Sequence, residues 1–562
     1  MNEVTGSAMP MQPMVAGTRW MVSAGHYLAT EAGAAMLAAG GNAVDAAVAA
    51  GITLGVVHPD QVQVSGVAPM LVHMKERGDV LSISGLGHWP RATRPEVFAR
   101  TNSIPLGLLR TVVPAAPDAW ILALERFGTM PFHEVAEPAI RAAREGFCVH
   151  PFMAEFLAEF QDQYRLWPQN AAIFLPDGTP PREGDLFVQP DLAASLGHMS
   201  DESARASARG GRMAGLRAAR AAFYAGDLAR AMVRFHEENG GWLAMEDLAG
   251  YGSEVEEAVS VEVGGTHVFS CPPWCQGPTL LQMIRTVSGL GLAGLGHNSA
   301  DYVHTVAEAM KLCFADRHRW FGDPRFVSVP LDLLLSESYA VRQRTRIDPD
   351  RADPGMPPGL VGEAPRFEGD TSYVCTVDRW GNAVSATPSD TSYESPVIPG
   401  LGFVPSSRGS QSWADPASPS SVRPGKRPRL TPSPAMAIRP GEFVMPFGGP
   451  GGDLQPQAML QVFLNHTVFG MPIQRAVEAP RFATHSFPNS FEPHLYQPGR
   501  LDVEAPIGTE IAETLSGRGH RVRLRPAVST NVAGVCAIRA DLRSGTLFGG
   551  ADPRRASRAM GR

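Results

Sequence analysis

GDTSYVCTVDRWGNAVSATPSD, residues 369–390, is the stretch that decides the fold. Residues 373–377 alternate in side-chain character, which predicts a β-strand with two distinct faces. The turn 379–382 and a second β-prone run, 383–387, complete a predicted hairpin. Thr371 stands at the head of the first strand. Its hydroxyl is a candidate nucleophile, although β-propensity alone would also explain a threonine there.

The residues before Thr371 predict a linker. Residues 349–370, PDRADPGMPPGLVGEAPRFEGD, are rich in proline, glycine and acidic side chains, and they end directly at the threonine. A threonine hydroxyl is a weak nucleophile and needs a base beside it. A cut between Asp370 and Thr371 would free an α-amine, which titrates near pH ~7.7–8.0 and is a suitable base.

A second candidate feature is the glycine run FGGPGGD at 447–453. Successive backbone N–H groups in such a run can face an anion, as in an oxyanion hole. A tight turn between a strand and a helix is the simpler alternative. A phosphate-binding loop is a third, but the lysine and the hydroxyl residue of that motif do not follow the glycines.

Composition excludes several classes of protein. Of the 562 residues 44% are hydrophobic and 19% charged, and the net charge of −7 comes with no basic stripe, so neither disorder nor nucleic-acid binding is expected. No secretory signal and no run long enough to span a bilayer is evident. Six cysteines are few for this length and suit a reducing compartment, so we expect a cytoplasmic protein without membrane partners. Cys271, Cys275 and His267 lack a fourth zinc ligand, and we expect neither a metal nor a cofactor.

The organisation of the chain predicts a layered α+β sandwich. Helices are expected at 27–39, 43–54, 117–144 and 299–319, and strands from residue 70 and after 371, in segregated blocks. The biased stretch 201–220 predicts a surface insertion or an exposed helix start.

The chain resembles the γ-glutamyltranspeptidase family of N-terminal-nucleophile hydrolases across nearly its whole length. Each matching motif is weak alone, but their ordered ensemble is specific. The motifs, besides the Thr371 segment, are GGNAVDAA (40–47), FGTMP (127–131), FYAGD (223–227), EAMK (308–311), ADR (315–317), GDP (322–324), KRP (426–428), GPGG (449–452) and APR (479–481).

The resemblance implies a precursor that cleaves itself before Thr371. The products would be a large subunit, 1–370, and a small subunit, 371–562, joined as a heterodimer in a four-layer αββα sandwich. Whether two heterodimers associate as (αβ)2 stays open. Thr371 would be the nucleophile of both cleavage and catalysis, with the Ser389 hydroxyl beside it. Gly451 and Gly452 would hold the oxyanion. A turn hydroxyl is the plainer interpretation of Ser389.

The residues that bind the γ-glutamyl group in the family are altered here. Leu86 replaces the arginine that clamps the substrate carboxylate, and Leu430-Thr431 replaces a serine pair. Gln411 falls where the family has an acidic residue, and Thr391 where it has an asparagine. A buried carboxylate without its cation would be costly, so the pattern argues against glutathione. Arg408 is a candidate for binding a differently placed anion, with a solvated loop arginine as the alternative.

These observations predict an autoprocessing threonine amidohydrolase acting on a small-molecule amide. Relatives with altered clamps act on other amides, such as oxamate or β-lactam side chains. Water would complete hydrolysis, or an acceptor amine would complete transfer. Two alternatives remain open: a true γ-glutamyl hydrolase or transferase, and a non-catalytic homologue of the family.

Overall fold

The computed structural model describes residues 11–355 and 370–562. Most of the predicted linker, residues 356–369, lies outside the described residues.

Two seven-stranded antiparallel sheets form the centre of the molecule. In spatial order, sheet I contains β19 (Arg558–Gly561), β2 (Met21–Ala24), β10 (Val374–Val377), β11 (Ala383–Ala386), β3 (Met70–His73), β4 (Val80–Ile83) and β7 (Val255–Glu257). Sheet II contains β1 (Val15–Gly17), β18 (Leu547–Gly550), β17 (Cys536–Asp541), β13 (Phe443–Gly448), β12 (Ala435–Arg439), β9 (Thr266–Ser270) and β8 (Val259–Val263).

Two smaller sheets lie outside this pair. One has three strands, β14 (Phe482–Thr484), β15 (Arg500–Glu504) and β16 (Arg521–Arg525), and the other pairs β5 (Phe147–Cys148) with β6 (Leu186–Phe187).

Helices cover the outer face of each central sheet. Against sheet I pack α1 (Tyr27–Ala38) and α2 (Ala43–Val57), backed by α4 (Ala116–Phe127), α5 (Phe132–Glu145), α9 (Pro190–Tyr224) and α10 (Asp227–Glu238). Against sheet II pack α12 (Gly277–Val287), α17 (Gln455–Thr467) and α18 (Ile473–Glu478), with α14 (Ala300–Trp320) and α16 (Glu337–Arg344) behind α12. The other helices are α3 (Pro95–Thr101), α6 (Pro151–Glu159), α7 (Gln161–Tyr164), α8 (Pro168–Phe174), α11 (Met245–Ala249), α13 (Leu292–Leu295), α15 (Leu331–Leu334) and α19 (Thr509–Gly517).

The hydrophobic core has one layer between the sheets and one beneath each set of helices. The 373–377 strand contributes to two of them: Tyr373, Cys375 and Val377 face sheet II, and Val374 faces the helices. This alternation is the one that the sequence predicts. The four-layer αββα sandwich of the N-terminal-nucleophile hydrolases is thereby confirmed.

The segments before and after Thr371 are interleaved in both sheets. In sheet I, β2 lies between β10 and β19, and β11 pairs with β3. In sheet II, β1 pairs with β18, and β12 pairs with β9. A cut before Thr371 would therefore leave two chains that share both sheets and their core.

Three other sequence expectations concern the fold. Residues 201–220 lie within α9, whose helical backbone is interrupted at Gly211 with a φ of +76°; Ser203, Leu216 and Ala219 are buried, and most of the stretch is partly or fully exposed. Within the described part of the chain, no helix has both the length and the apolar character required to cross a bilayer. Cys271 and Cys275 are free thiols in the core between the sheets, and His267 is exposed on β9.

Candidate active site

Thr371 is fully buried three residues before β10 begins. Its φ of +143° lies outside the regions that a β-branched residue normally adopts. Such a conformation costs about 1–3 kcal/mol and persists only when its surroundings enforce it. The φ torsion of Thr371 includes the carbonyl carbon of Asp370. The strain therefore lies in the backbone of Thr371, directly beside the peptide bond that joins these two residues.

The Thr371 hydroxyl contacts two side chains. Its Oγ1 is 2.8 Å from the Oγ of Ser389, and Gln455 Nε2 donates to it at 3.3 Å. Ser389 is fixed by reciprocal backbone hydrogen bonds with Val67, each 3.0 Å long. The hydroxyl of the candidate nucleophile is thus oriented by a serine that the backbone holds in place.

Arg408 connects this hydroxyl pair to two carboxylates. Its Nη2 donates to Ser389 Oγ at 2.8 Å and to Asp370 Oδ2 at 2.5 Å. Asp390 Oδ2 lies 3.8 Å from Arg408 Nε. All three charged side chains are at most 4% exposed. Arg408 is therefore not a solvated loop arginine, because it lies inside the candidate site.

Burial and charge pairing oppose each other in this cluster. Burial raises the pKa of Asp370 to about 6 although Arg408 lowers it, and burial also raises the pKa of Asp390 above its ordinary value. For Arg408, burial favours the neutral form, but the carboxylates of Asp370 and Asp390 outweigh it and raise the pKa. The guanidinium consequently stays charged beside the candidate nucleophile.

The glycine loop leaves β13 and approaches Thr371 from the other sheet. Gly451 and Gly452 have φ values of +120° and +55°, which favour glycine. A Cβ on Gly451 would lie 2.8 Å from the Cβ of Ala533. Gln455 follows the loop as the first residue of α17, and its contact with Thr371 brings the loop to the nucleophile. Neither glycine N–H donates a hydrogen bond to another residue in the ranges 11–355 and 370–562, as an oxyanion hole requires.

Gln276 joins this loop to the other predicted binding residues. Its Nε2 donates to the carbonyl oxygens of Gly452 and Thr431, at 2.8 Å each. Gln411 Nε2 donates to Thr431 Oγ1 at 2.8 Å, and Thr431 N donates back to Gln411 Oε1 at 3.1 Å. Arg317 Nη1 in turn donates to Gln276 Oε1. The side chains of Gln411 and Thr431 are therefore satisfied by each other.

Two residues at altered family positions do not contact the nucleophile. Thr391 Oγ1 donates to the carbonyl oxygen of Asp60 at 3.2 Å. Leu86 is buried in the core between the sheets. The structure thus groups Thr371, Ser389 and Arg408 directly and leaves the Thr391 hydroxyl engaged elsewhere.

A histidine cluster adjoins Ser372, and the sequence analysis assigns it no role. One ring nitrogen from each of His26, His58 and His150 lies within 4.8 Å of the others, and His58 Nδ1 is 3.1 Å from Ser372 Oγ. The Nδ1 atoms of His26 and His150 accept backbone N–H groups at helix starts. Their neutral rings therefore carry the proton on Nε2, which suits a hydrogen-bond donor and not a metal ligand.

Three further residues of the site escaped the sequence analysis. Gln455 could have been suspected, because it directly follows the glycine run and begins a helix. Asp390 directly follows Ser389, but nothing in its neighbours reveals that it pairs with Arg408. Gln276 is far from every motif along the chain, and only the fold reveals its position.

Comparisons with known proteins find relatives over nearly the whole chain. A family model described as Gamma-glutamyltranspeptidase matches residues 29–562. The acylase ACY 1 proenzyme of Pseudomonas sp. (strain SE83) is 32% identical over 550 residues, covering 95% of this chain and 92% of the relative. The glutathione hydrolase proenzyme of Escherichia coli (strain K12) is 29% identical, with 95% and 90% coverage. A solved cephalosporin acylase from Bacillus halodurans matches with a TM-score of 0.85 and 28% identity, covering 100% of this chain and 99% of that one.

Proposed function

The chain belongs to the gamma-glutamyltranspeptidase family, and we propose that it is an autoprocessing threonine amidohydrolase that cleaves a small amide through an acyl-enzyme on Thr371. One observation carries the proposal. The Thr371 hydroxyl is buried and hydrogen-bonded to Ser389, the backbone of Thr371 is strained beside the Asp370–Thr371 peptide bond, and the Asp370 side chain is held by Arg408. Two relatives that are named proenzymes support a processed precursor.

Autocleavage would proceed through an ester. The Thr371 Oγ1 attacks the carbonyl carbon of Asp370, its proton passes to the leaving nitrogen, and the C–N bond breaks as the C–O bond forms. Water then hydrolyses the ester. Residue 370 leaves with a new carboxylate, and Thr371 regains its hydroxyl together with a free α-amine. The strained φ disappears at the same time, because the carbonyl carbon that defines it is no longer attached.

Catalysis would repeat this chemistry on a substrate amide. The α-amine of Thr371 accepts the hydroxyl proton as Oγ1 attacks the substrate carbonyl, and the N–H groups of Gly451 and Gly452 stabilise the oxyanion. The proton then goes to the departing amine, which leaves an ester on Thr371. Water releases the acid and restores the enzyme, whereas an acceptor amine would complete transfer.

The proposed subunits 1–370 and 371–562 would remain one particle. They share both central sheets, so the buried core between these two sheets is also part of their interface. We expect the fragments to elute together under native conditions and to separate only when the protein is unfolded. Size-exclusion chromatography followed by a denaturing gel measures this, and fragments that separate without denaturant would contradict it.

The pH dependence of kcat/KM should report the α-amine of Thr371. The amine must be neutral to accept a proton, so kcat/KM should rise about tenfold per pH unit and level off near pH ~8. Burial lowers the pKa of His58 well below its usual value and that of His150 to about 4, so neither histidine would produce this rise in kcat/KM with pH.

Asp60 is a nearby group that could mimic the result, because burial raises its pKa to about 7. The matched control is therefore Asp60→Asn, in which kcat/KM should rise over the same pH range. If the rise is absent in this variant, the titrating group is Asp60 and not the α-amine of Thr371.

Removing the Ser389 hydroxyl should slow turnover without unfolding the protein. Ser389→Ala deletes the contact with Thr371 and one acceptor of Arg408, which amounts to about 1.5–3 kcal/mol, or roughly 10- to 150-fold in kcat/KM. Ser395→Ala is the matched control, because Ser395 is also buried and its hydroxyl has no partner among the described residues. Equal rates for the two variants would remove Ser389 from the mechanism.

Amide hydrolysis itself can be measured with the purified, processed protein and a panel of small amides. The proposal predicts equimolar release of amine and carboxylic acid from at least one of them. γ-Glutamyl-p-nitroanilide should be a poor substrate, because Leu86 is packed in the core where the family has its clamp; efficient turnover would favour the γ-glutamyl alternative. A cleaved protein that hydrolyses no amide of the panel would favour the non-catalytic homologue.

A further inference from the structure

The contact between Arg408 and Asp370 indicates the class of acyl group that the site accepts. We propose that the processed enzyme acts on monoamides of a four-carbon dicarboxylic acid, whose free carboxylate binds Arg408 in the place that the Asp370 side chain holds before cleavage. This inference rests on the proposed function, and it adds the identity of the acyl group.

Asp370 is the acyl group of the first ester that forms on Thr371. The autocleavage ester and the catalytic acyl-enzyme both carry their acyl group on the same oxygen, Thr371 Oγ1. The precursor therefore displays one acyl group positioned for attack by that oxygen. In this acyl group, two carbon atoms, Cα and Cβ of Asp370, separate the reacting carbonyl from the carboxylate on Arg408. A succinyl group has the same spacing.

Cleavage should expel Asp370 and leave Arg408 without that partner. Residue 370 gains a second carboxylate on cleavage, in a buried space that already contains Asp390 and Glu394, both of which raise the pKa of Asp370. Glu394 is paired with Arg110 at 2.8 Å, which leaves Arg408 to face Asp390 and both carboxylates of residue 370, more negative charge than one guanidinium can neutralise. The repulsion favours departure of the new chain end.

The partners that remain do not saturate Arg408. Asp390 is engaged by the hydroxyls of Ser406 and Ser407 and lies 3.8 Å from Arg408 Nε, too far for a hydrogen bond. That Nε is buried without a partner among the described residues. Once Asp370 has left, Nη2 keeps only Ser389. A buried guanidinium with so few acceptors favours an incoming carboxylate.

The number of carbon atoms between the reacting carbonyl and the carboxylate distinguishes the candidate acyl groups. In an oxalyl group the carboxylate is bonded directly to the reacting carbonyl, so it cannot reach Arg408 while that carbonyl is at Thr371. A glutaryl group is one methylene too long and must fold to make the same contact. A butyryl group has the length of the succinyl chain without its charge, which makes it the matched control.

The experiment compares kcat/KM of processed wild-type protein for succinyl-, butyryl-, glutaryl- and oxalyl-p-nitroanilide. We expect the succinyl compound to exceed the butyryl compound by about 100-fold, since a site built for a charged group rejects the analogue that lacks it. The glutaryl and oxalyl compounds should fall below the succinyl compound. Butyryl turnover equal to or above succinyl turnover would overturn the inference and leave the amidohydrolase proposal standing. A processed protein that hydrolyses another amide of the panel but none of these four anilides would also overturn the inference alone, and hydrolysis of no amide at all would overturn both.

A second measurement uses the ratio of succinyl to butyryl rates in Arg408 variants. The ratio does not depend on how much of a preparation is processed, so it remains informative if these variants cleave slowly. Arg408→Gln should reduce it to about 1, and Arg408→Lys, which keeps the charge, should retain part of it. A ratio that stays near the wild-type value in Arg408→Gln would place the carboxylate elsewhere and overturn the inference.

Discussion

Thr371→Ala is expected to leave a single uncut chain of 60.1 kDa with no measurable amide turnover. The substitution removes the oxygen that forms the ester in both cleavage and catalysis, so the loss should be at least about 1,000-fold. Folding should survive, because the side chain contributes only its hydroxyl contacts with Ser389 and Gln455 and little apolar surface to the core. A denaturing gel and an amide-release assay on the same preparation measure both effects.

Two variants isolate the role of the Thr371 hydroxyl. Thr371→Ser keeps a hydroxyl and should still cleave, although more slowly. Thr376→Ala removes the same type of side chain from the strand that follows Thr371, where its hydroxyl donates to the Ala43 carbonyl, and it should cleave and turn over normally. Cleavage of Thr371→Ala at the wild-type rate would rule out Thr371 as the nucleophile of processing.

Gly451→Ala is expected to reduce kcat by about 100- to 1,000-fold. A φ of +120° disfavours any residue with a Cβ, and the added carbon would lie 2.8 Å from the Cβ of Ala533. The loop must shift, which moves its N–H groups away from the oxyanion. Loss of one such donor costs about 2.7–4 kcal/mol of barrier. Because the donors act in the transition state, KM should change much less than kcat.

The matched control is Gly441→Ala in the turn between β12 and β13. Gly441 also has a positive φ, +72°, but a Cβ there would meet nothing within 4 Å. Both variants should lose about 1 kcal/mol or more of unfolding free energy, and only Gly451→Ala should lose activity. Equal activity of the two variants would show that the glycine loop does not hold the oxyanion.

The order of apolar, polar and glycine residues within short stretches was sufficient to predict much of the fold. The alternation in 373–377 assigned each side chain to the correct core layer, because a strand between two packed layers must be apolar on both faces. The gap between the predicted helices 27–39 and 43–54 also matches the boundary between α1 and α2, where Asn42 caps the second helix. Strand alternation and helix caps are set by residues that lie close together along the chain, so they can be recognised from the sequence.

Long-range pairings within the site could not be predicted in this way. Nothing near Arg408 indicates that it binds Asp370, 38 residues earlier, or that Gln276 supports a loop 176 residues away. The histidine cluster joins residues from the starts of α1 and α6 and the end of α2. Each of these contacts depends on how the layers pack, and the alternatives of a turn serine or a solvated arginine were reasonable until the fold was known.

The most direct test of the central claim is N-terminal sequencing and intact-mass analysis of active wild-type protein, sampled as turnover develops. The claim is that Thr371 becomes competent when its own amino group is released. The expected result is a fragment 371–562 that begins with Thr371, carries an unmodified α-amine, and increases in proportion to activity. Full turnover by the unbroken 562-residue chain, or a small fragment that begins at another residue, would contradict it.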